Sequence, residues 1–95
     1  MSIPDKRTVL LVEDEAIIAI AEQERLQSAG YRVITAYSGE DAVAVVREGG
    51  EVDIVLMDID LGPGIDGTRA AEEILSIKDI PIIFLTSHAE QEMVE

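Results

Sequence analysis

Three runs of the chain, VLLV at 9–12, IVLM at 54–57 and IIFL at 82–85, are apolar at every position rather than at every second one. A strand with one wet face alternates, whereas a strand covered on both faces reads as a continuous aliphatic run, the condition met in parallel sheets between layers of helix. The first of these strands, Arg7 to Val12, ends abruptly in Glu13-Asp14-Glu15, and another, Val52 to Met57, is broken only by Asp53 near its start. Tyr31 to Ala36 (YRVITA) is rich in β-branched residues but includes Arg32, as a strand with one exposed side does. Ile80 to Leu85 is a fourth strand, with Pro81 tolerated near its beginning.

The intervening segments favour helix. Ala16 to Ser28 consists of good helix formers, and Gly30 suits the left-handed position just past its end. Ser38 is placed to cap a helix running to about Glu48, with Asp41 three residues on as an imperfect capping box, and Gly49-Gly50 stops it. Asp66 or Thr68 caps a third helix, whose Ala70, Ala71, Ile74 and Leu75 are expected on one face. Ala89 to Glu95 reads as the start of a fourth. This β-α-β-α-β-α-β-α order implies an α/β fold, a doubly wound parallel sheet with helices on both faces. Right-handed crossovers place every strand's C-terminal tip on one edge of such a sheet, where ligands bind.

A chain of 95 residues supports one small core, and with 3% aromatic residues that core must be aliphatic. The absence of cysteine excludes a disulfide framework and a thiolate metal site. No stretch approaches the ~20 apolar residues of a membrane span, so a soluble, cytoplasmic protein without membrane contact is expected. The formal charge of −13 argues against direct binding to nucleic acid.

The chemistry is concentrated at the strand tips. Glu13 and Asp14 follow the first strand, Asp58 and Asp60 the third, and Thr86 and Ser87 the fourth. If strands one and three are neighbours, Glu13, Asp14 and Asp58 converge, and three carboxylates so close cannot all stay ionised without a cation. Hard oxygen donors of this kind suit Mg²⁺, which would leave one carboxylate available as a nucleophile.

In LLVEDE, LMDIDLGPGIDG and IPIIFLTSHAE the chain resembles the receiver domain of two-component response regulators along essentially its whole length. That resemblance implies a doubly wound sheet of order 2-1-3-4-5, of which this chain holds four strands in order 2-1-3-4 with the fifth βα unit missing. It implies transfer of a phosphoryl group from a histidine kinase or phosphotransfer domain to Asp58, with Mg²⁺ held by Glu13, Asp14, Asp58 and the backbone carbonyl of Asp60. Thr86 takes the position of the switch hydroxyl. On this reading residues 1–95 are a single receiver domain, incomplete at its C-terminus, from a response regulator or hybrid sensor kinase.

Two departures qualify the resemblance. The loop LGPGIDG is a residue longer than the commonest form, so that Pro63 falls five positions after Asp58 rather than four, a change that loops tolerate cheaply. The family's phosphoryl-clamping lysine lies on the fifth strand, and the lysines present, Lys6 and Lys78, are expected at the opposite edge of the sheet. Lys78 stands ~6 residues of strand, at ~3.3 Å each, from the active edge. The natural protein is therefore expected to continue past Glu95. Strand 80–85 then becomes an exposed apolar edge through which these residues should self-associate.

Other readings fit less well. A D-x-D phosphatase nucleophile needs a larger core and distal partners, and an EF-hand loop needs Gly and Glu where this chain has Pro63 and Arg69. His88 lacks the acid that directly follows a kinase phosphoacceptor histidine and is read as a loop residue. A receiver-like interaction module that transfers no phosphate is the alternative.

Overall fold

A computed structural model of the chain describes residues 6–85. Strands β1 (Thr8–Val12), β2 (Arg32–Ala36), β3 (Ile54–Asp58) and β4 (Ile82–Leu85) alternate with helices α1 (Ala16–Ser28), α2 (Gly39–Arg47) and α3 (Gly67–Ile77). The strands form one sheet in the order β2-β1-β3-β4, and every pairing is parallel. Strands one and three are neighbours, with Leu10 opposite Val55 and Val12 opposite Met57. The expected doubly wound α/β architecture in order 2-1-3-4 is the one observed.

The aliphatic runs explain the layering. Leu10, Val12, Val55 and Met57 point from the sheet into a cluster with Ala42, Val43 and Val46 of α2 and Ala70 and Ile74 of α3. Full burial of a Leu, Met or Ile side chain contributes roughly 1.5–3 kcal/mol, so these few residues dominate the fold's stability. Val9 and Leu11, alternating to the other face, are as fully buried and lie outside that cluster, on the side where α1 packs against β1 and β2. Over β3 and β4 the described residues cover that face only thinly, and Ile83 is 49% exposed.

Local signals place the helix ends. Ser38 Oγ accepts the Asp41 N–H at 3.0 Å. Asp66, rather than Thr68, caps α3 by accepting the Arg69 N–H at 2.9 Å, while the Thr68 hydroxyl donates to the same carboxylate at 2.8 Å. Three expectations need correction. Val52 is buried but precedes the β3 ladder, because Asp53 is occupied with Thr8: its N–H donates to the Thr8 carbonyl and its Oδ2 accepts the Thr8 N–H at 2.7 Å. Ile80 is likewise buried ahead of β4 rather than within it. Leu75 does not share the inner face of α3; it is 50% exposed, one residue round from the fully buried Ile74. The helix expected from Ala89 onward lies outside the described residues.

Candidate functional site

The parallel register delivers three carboxylates to one point. Asp58 is the last residue of β3, and Glu13 directly follows β1, whose ladder it prolongs by donating its N–H to the Ala36 carbonyl at 3.0 Å. Asp14 is exposed beside them. One carboxylate oxygen from each of Glu13, Asp14 and Asp58 lies within 4.8 Å of the others.

Backbone donors aim these groups. Asp58 Oδ1 accepts the Asp60 N–H at 3.1 Å, and Glu13 Oε2 accepts the Glu15 N–H at 3.1 Å. Both side chains belong to residues only 3% exposed. Burial is the main force raising the Glu13 carboxyl from 4.5 to about 7; the Glu15 N–H opposes it, and the Asp58 charge and hydrogen bonding with Asp14 and Asp58 reinforce it. The cluster thus favours a proton, or a cation in its place. Clustered hard oxygen donors with one exposed member suit a small divalent ion that keeps part of its water shell.

The loop after β3 completes the wall. Gly67 donates its N–H to the Ile59 carbonyl at 3.0 Å, and its α-carbon presses so closely on the Asp58 and Ile59 backbone that no side chain fits there. Asp66 holds its carboxyl below the usual range, chiefly by accepting the Arg69 N–H and then the Thr68 hydroxyl. Arg69 pairs with Glu73 at 3.1 Å rather than turning to the cluster.

Glu13, Asp14 and Asp58 are thus brought together, and Asp60 is adjacent through its backbone, with its own side chain exposed. Thr86, Ser87 and His88 lie outside the described residues. Lys6 and Lys78 line a cleft with Arg7, Thr8, Arg32 and Asp53 at the N-terminal edge of the sheet, so neither reaches the cluster. Sequence reasoning passed over Glu40, whose carboxylate accepts the Ile65 N–H at 3.0 Å from a helix 25 residues earlier in the chain. The only trace of it was the pair Gly62 and Gly64, which leaves room for carboxylates beside the loop.

A doubly wound sheet with side-chain carboxylates gathered at its C-terminal edge is the arrangement of α/β domains that bind their ligands at the strand tips. The response regulator receiver domain matches residues 9–95, and the chain belongs to that family, the receivers of two-component signalling. It is 44% identical over 85 residues to the sensor kinase CckA of Brucella abortus (strain 2308), covering 87% of this chain and 9% of that protein's length. The N-terminal domain of a response regulator/sensory box/GGDEF three-domain protein from Carboxydothermus hydrogenoformans is 41% identical with a TM-score of 0.84, over 86% of this chain and 66% of that one. Response regulator TrrA from Thermotoga maritima, solved in complex with Mg²⁺–BeF, is 38% identical with a TM-score of 0.81, over 92% of this chain and 75% of that one.

Proposed function

We propose that the chain is a phosphoacceptor receiver, taking a phosphoryl group from the phosphohistidine of a histidine kinase or phosphotransfer domain onto Asp58. The observation that carries this reading is the convergence of Glu13, Asp14 and Asp58 at the C-terminal edge of the sheet. With one oxygen tied to the Asp60 N–H, the Asp58 carboxylate is oriented, and its other oxygen is the one that would attack phosphorus in line. The new O–P bond forms as the bond to the donor imidazole breaks, and the product is an aspartyl phosphate.

Glu13, Asp14, Asp58 and the Asp60 carbonyl would hold Mg²⁺, a choice that fits the all-oxygen donor set and its need for positive charge. An ion held by these residues would supply positive charge to offset that on the transferring phosphoryl oxygens. Thr86 is proposed as the hydroxyl that turns toward the phosphorylated aspartate and biases the neighbouring surface between two states. The likeness to a sensor kinase supports a kinase or phosphotransfer domain as partner, and a cytoplasmic setting is proposed with it. Self-association of the 95-residue chain is proposed through 80–85, because β4 has no outer neighbour among the described residues and Ile83 and Phe84 are exposed.

A second reading, a receiver-like interaction module without phosphotransfer, draws on the placement of Lys6 and Lys78 far from the cluster. Intact mass after incubation with acetyl phosphate separates the two. A Mg²⁺-dependent phosphoryl adduct that disappears in Asp58→Asn supports phosphotransfer. No adduct, in this chain and in one extended through a fifth strand, favours the module.

A further inference from the structure

Glu40 stands in the first turn of α2, yet the capping of that helix is done by Ser38, which accepts the Asp41 N–H. The Glu40 carboxylate turns away to the loop between β3 and α3, where Oε2 accepts the Ile65 N–H at 3.0 Å. Gly64 passes directly beneath it: a Cβ there would lie 2.7 Å from Oε2 and 2.9 Å from Oε1, and its φ of 98° is one that side chains disfavour. Two residues earlier, Gly62 brings the same loop against the acidic cluster, since a Cβ there would lie 3.0 Å from Asp14 Oδ2. Leu61, between Asp60 and Gly62, is 2% exposed and anchors the loop in the core.

The loop is therefore fixed from two sides, by the buried Leu61 and by the Glu40 carboxylate; it lies against Asp14 and directly follows Asp60. We propose that Glu40 is a positioning residue for the cation site, latching the loop 61–65 so that the Asp60 backbone and Asp14 keep the geometry that the ion requires. This rests on the Mg²⁺ reading above. The two glycines at positive φ in this loop, Gly62 (75°) and Gly64 (98°), give the latch a purpose, because glycine leaves a chain more conformations to lose. A charged acceptor makes the stronger kind of hydrogen bond to a backbone N–H.

The test compares Glu40→Ala and Glu40→Gln with the wild-type 95-residue chain, after far-UV circular dichroism has shown equal secondary structure. Glutamine retains the carbonyl acceptor and loses the charge, which separates the latch from long-range attraction for the ion. Two readouts are taken by nuclear magnetic resonance: amide exchange at Ile65 without metal, and Mg²⁺ titration followed at the Asp60 and Gly62 amides. Glu40→Ala is expected to speed exchange at Ile65 about tenfold. It should weaken Mg²⁺ binding about three- to tenfold, as loss of a supporting partner does at metal sites. Glu40→Gln, which keeps the weaker neutral acceptor, should fall between wild type and Glu40→Ala, within about threefold of wild type in both.

Unchanged exchange in Glu40→Ala overturns the latch. Equal weakening of Mg²⁺ binding in the two variants overturns positioning in favour of simple charge. A wild-type chain whose Asp60 and Gly62 amides ignore Mg²⁺ overturns the cation reading itself, and with it the role given to Glu40. Wild-type binding that Glu40→Ala leaves intact overturns the role alone.

Discussion

Glu13→Gln removes the carboxyl whose ionisation the fold most opposes among the described residues. Folded Glu13 releases its proton near pH 7, and in the unfolded chain it does so near 4.5. Below 4.5 both states are protonated and the residue costs nothing. As pH rises from 4.5 to 7 the unfolded chain ionises first, so the metal-free fold loses stability through that window, and above it the loss is complete. A shift of this size would correspond to about 3 kcal/mol in a site closed to water. Asp14 leaves one side of the cluster open, and solvent screening reduces the effect to about 1–2 kcal/mol. The glutamine carbonyl can still accept the Glu15 N–H, so the substitution removes charge with little change of shape. Metal-free Glu13→Gln should therefore melt about 5–10 °C above wild type at pH 8, with the gap closing by pH 4.5. The assay is thermal denaturation by circular dichroism from pH 4.5 to 8, in chelator and then in Mg²⁺. Mg²⁺ should stabilise wild type more than the variant, which lacks one donor. Equal melting temperatures at pH 8, or a gap that persists unchanged at pH 4.5, would refute the reasoning.

Gly67→Ala places a methyl group against the Asp58 and Ile59 backbone; urea denaturation should show a loss of about 1–3 kcal/mol, and no loss would mean that the close packing is not required. Ser38→Ala should cost about 1 kcal/mol by the same method through loss of the α2 cap, with Ser38→Asp recovering most of it. Ile83→Lys puts a charge on the exposed edge strand. Light scattering after size exclusion should then find a monomer where the wild-type chain associates, and a wild-type chain that stays monomeric at high concentration would remove the self-association proposal.

The parallel sheet was legible from continuous apolar runs alternating with helix formers. The strand order came from the resemblance to receivers, and the residues alone brought Glu13, Asp14 and Asp58 together only on the condition that strands one and three are neighbours. Continuous apolar runs require a parallel sheet, and a parallel sheet gathers its strand tips. What escaped was set by contacts between distant segments. Asp53 reads as a flaw in an apolar run, but it ties β1 to β3, and for that reason the ladder begins at Ile54. Leu75 was assigned inward by spacing alone, although Ala70, Ala71 and Ile74 already fill the space under α3. The six residues AIIAIA that open α1 are apolar on every side, so periodicity could not choose a face; Ala19 is buried, while Ile17 is 83% exposed. Glu40 looked like an ordinary acid at a helix start, and its partner Ile65 lies too far along the chain for any local rule to join them.

The parallel register also sorts charge along the strand direction. Glu13, Asp14 and Asp58 meet where the strands end, and four of the seven basic side chains, Lys6, Arg7, Arg32 and Lys78, line a cleft where they begin, with Glu51 and Asp53 among them. Along the strand direction the sheet thus runs from a mixed but mainly basic end to a purely acidic cluster, on a chain of net charge −13. A partner carrying a cationic face feels a torque as well as an attraction, and turns the acidic edge toward itself before the surfaces touch. Such orientation raises the fraction of productive encounters, and it fades as salt shortens the Debye length to about 8 Å at physiological ionic strength.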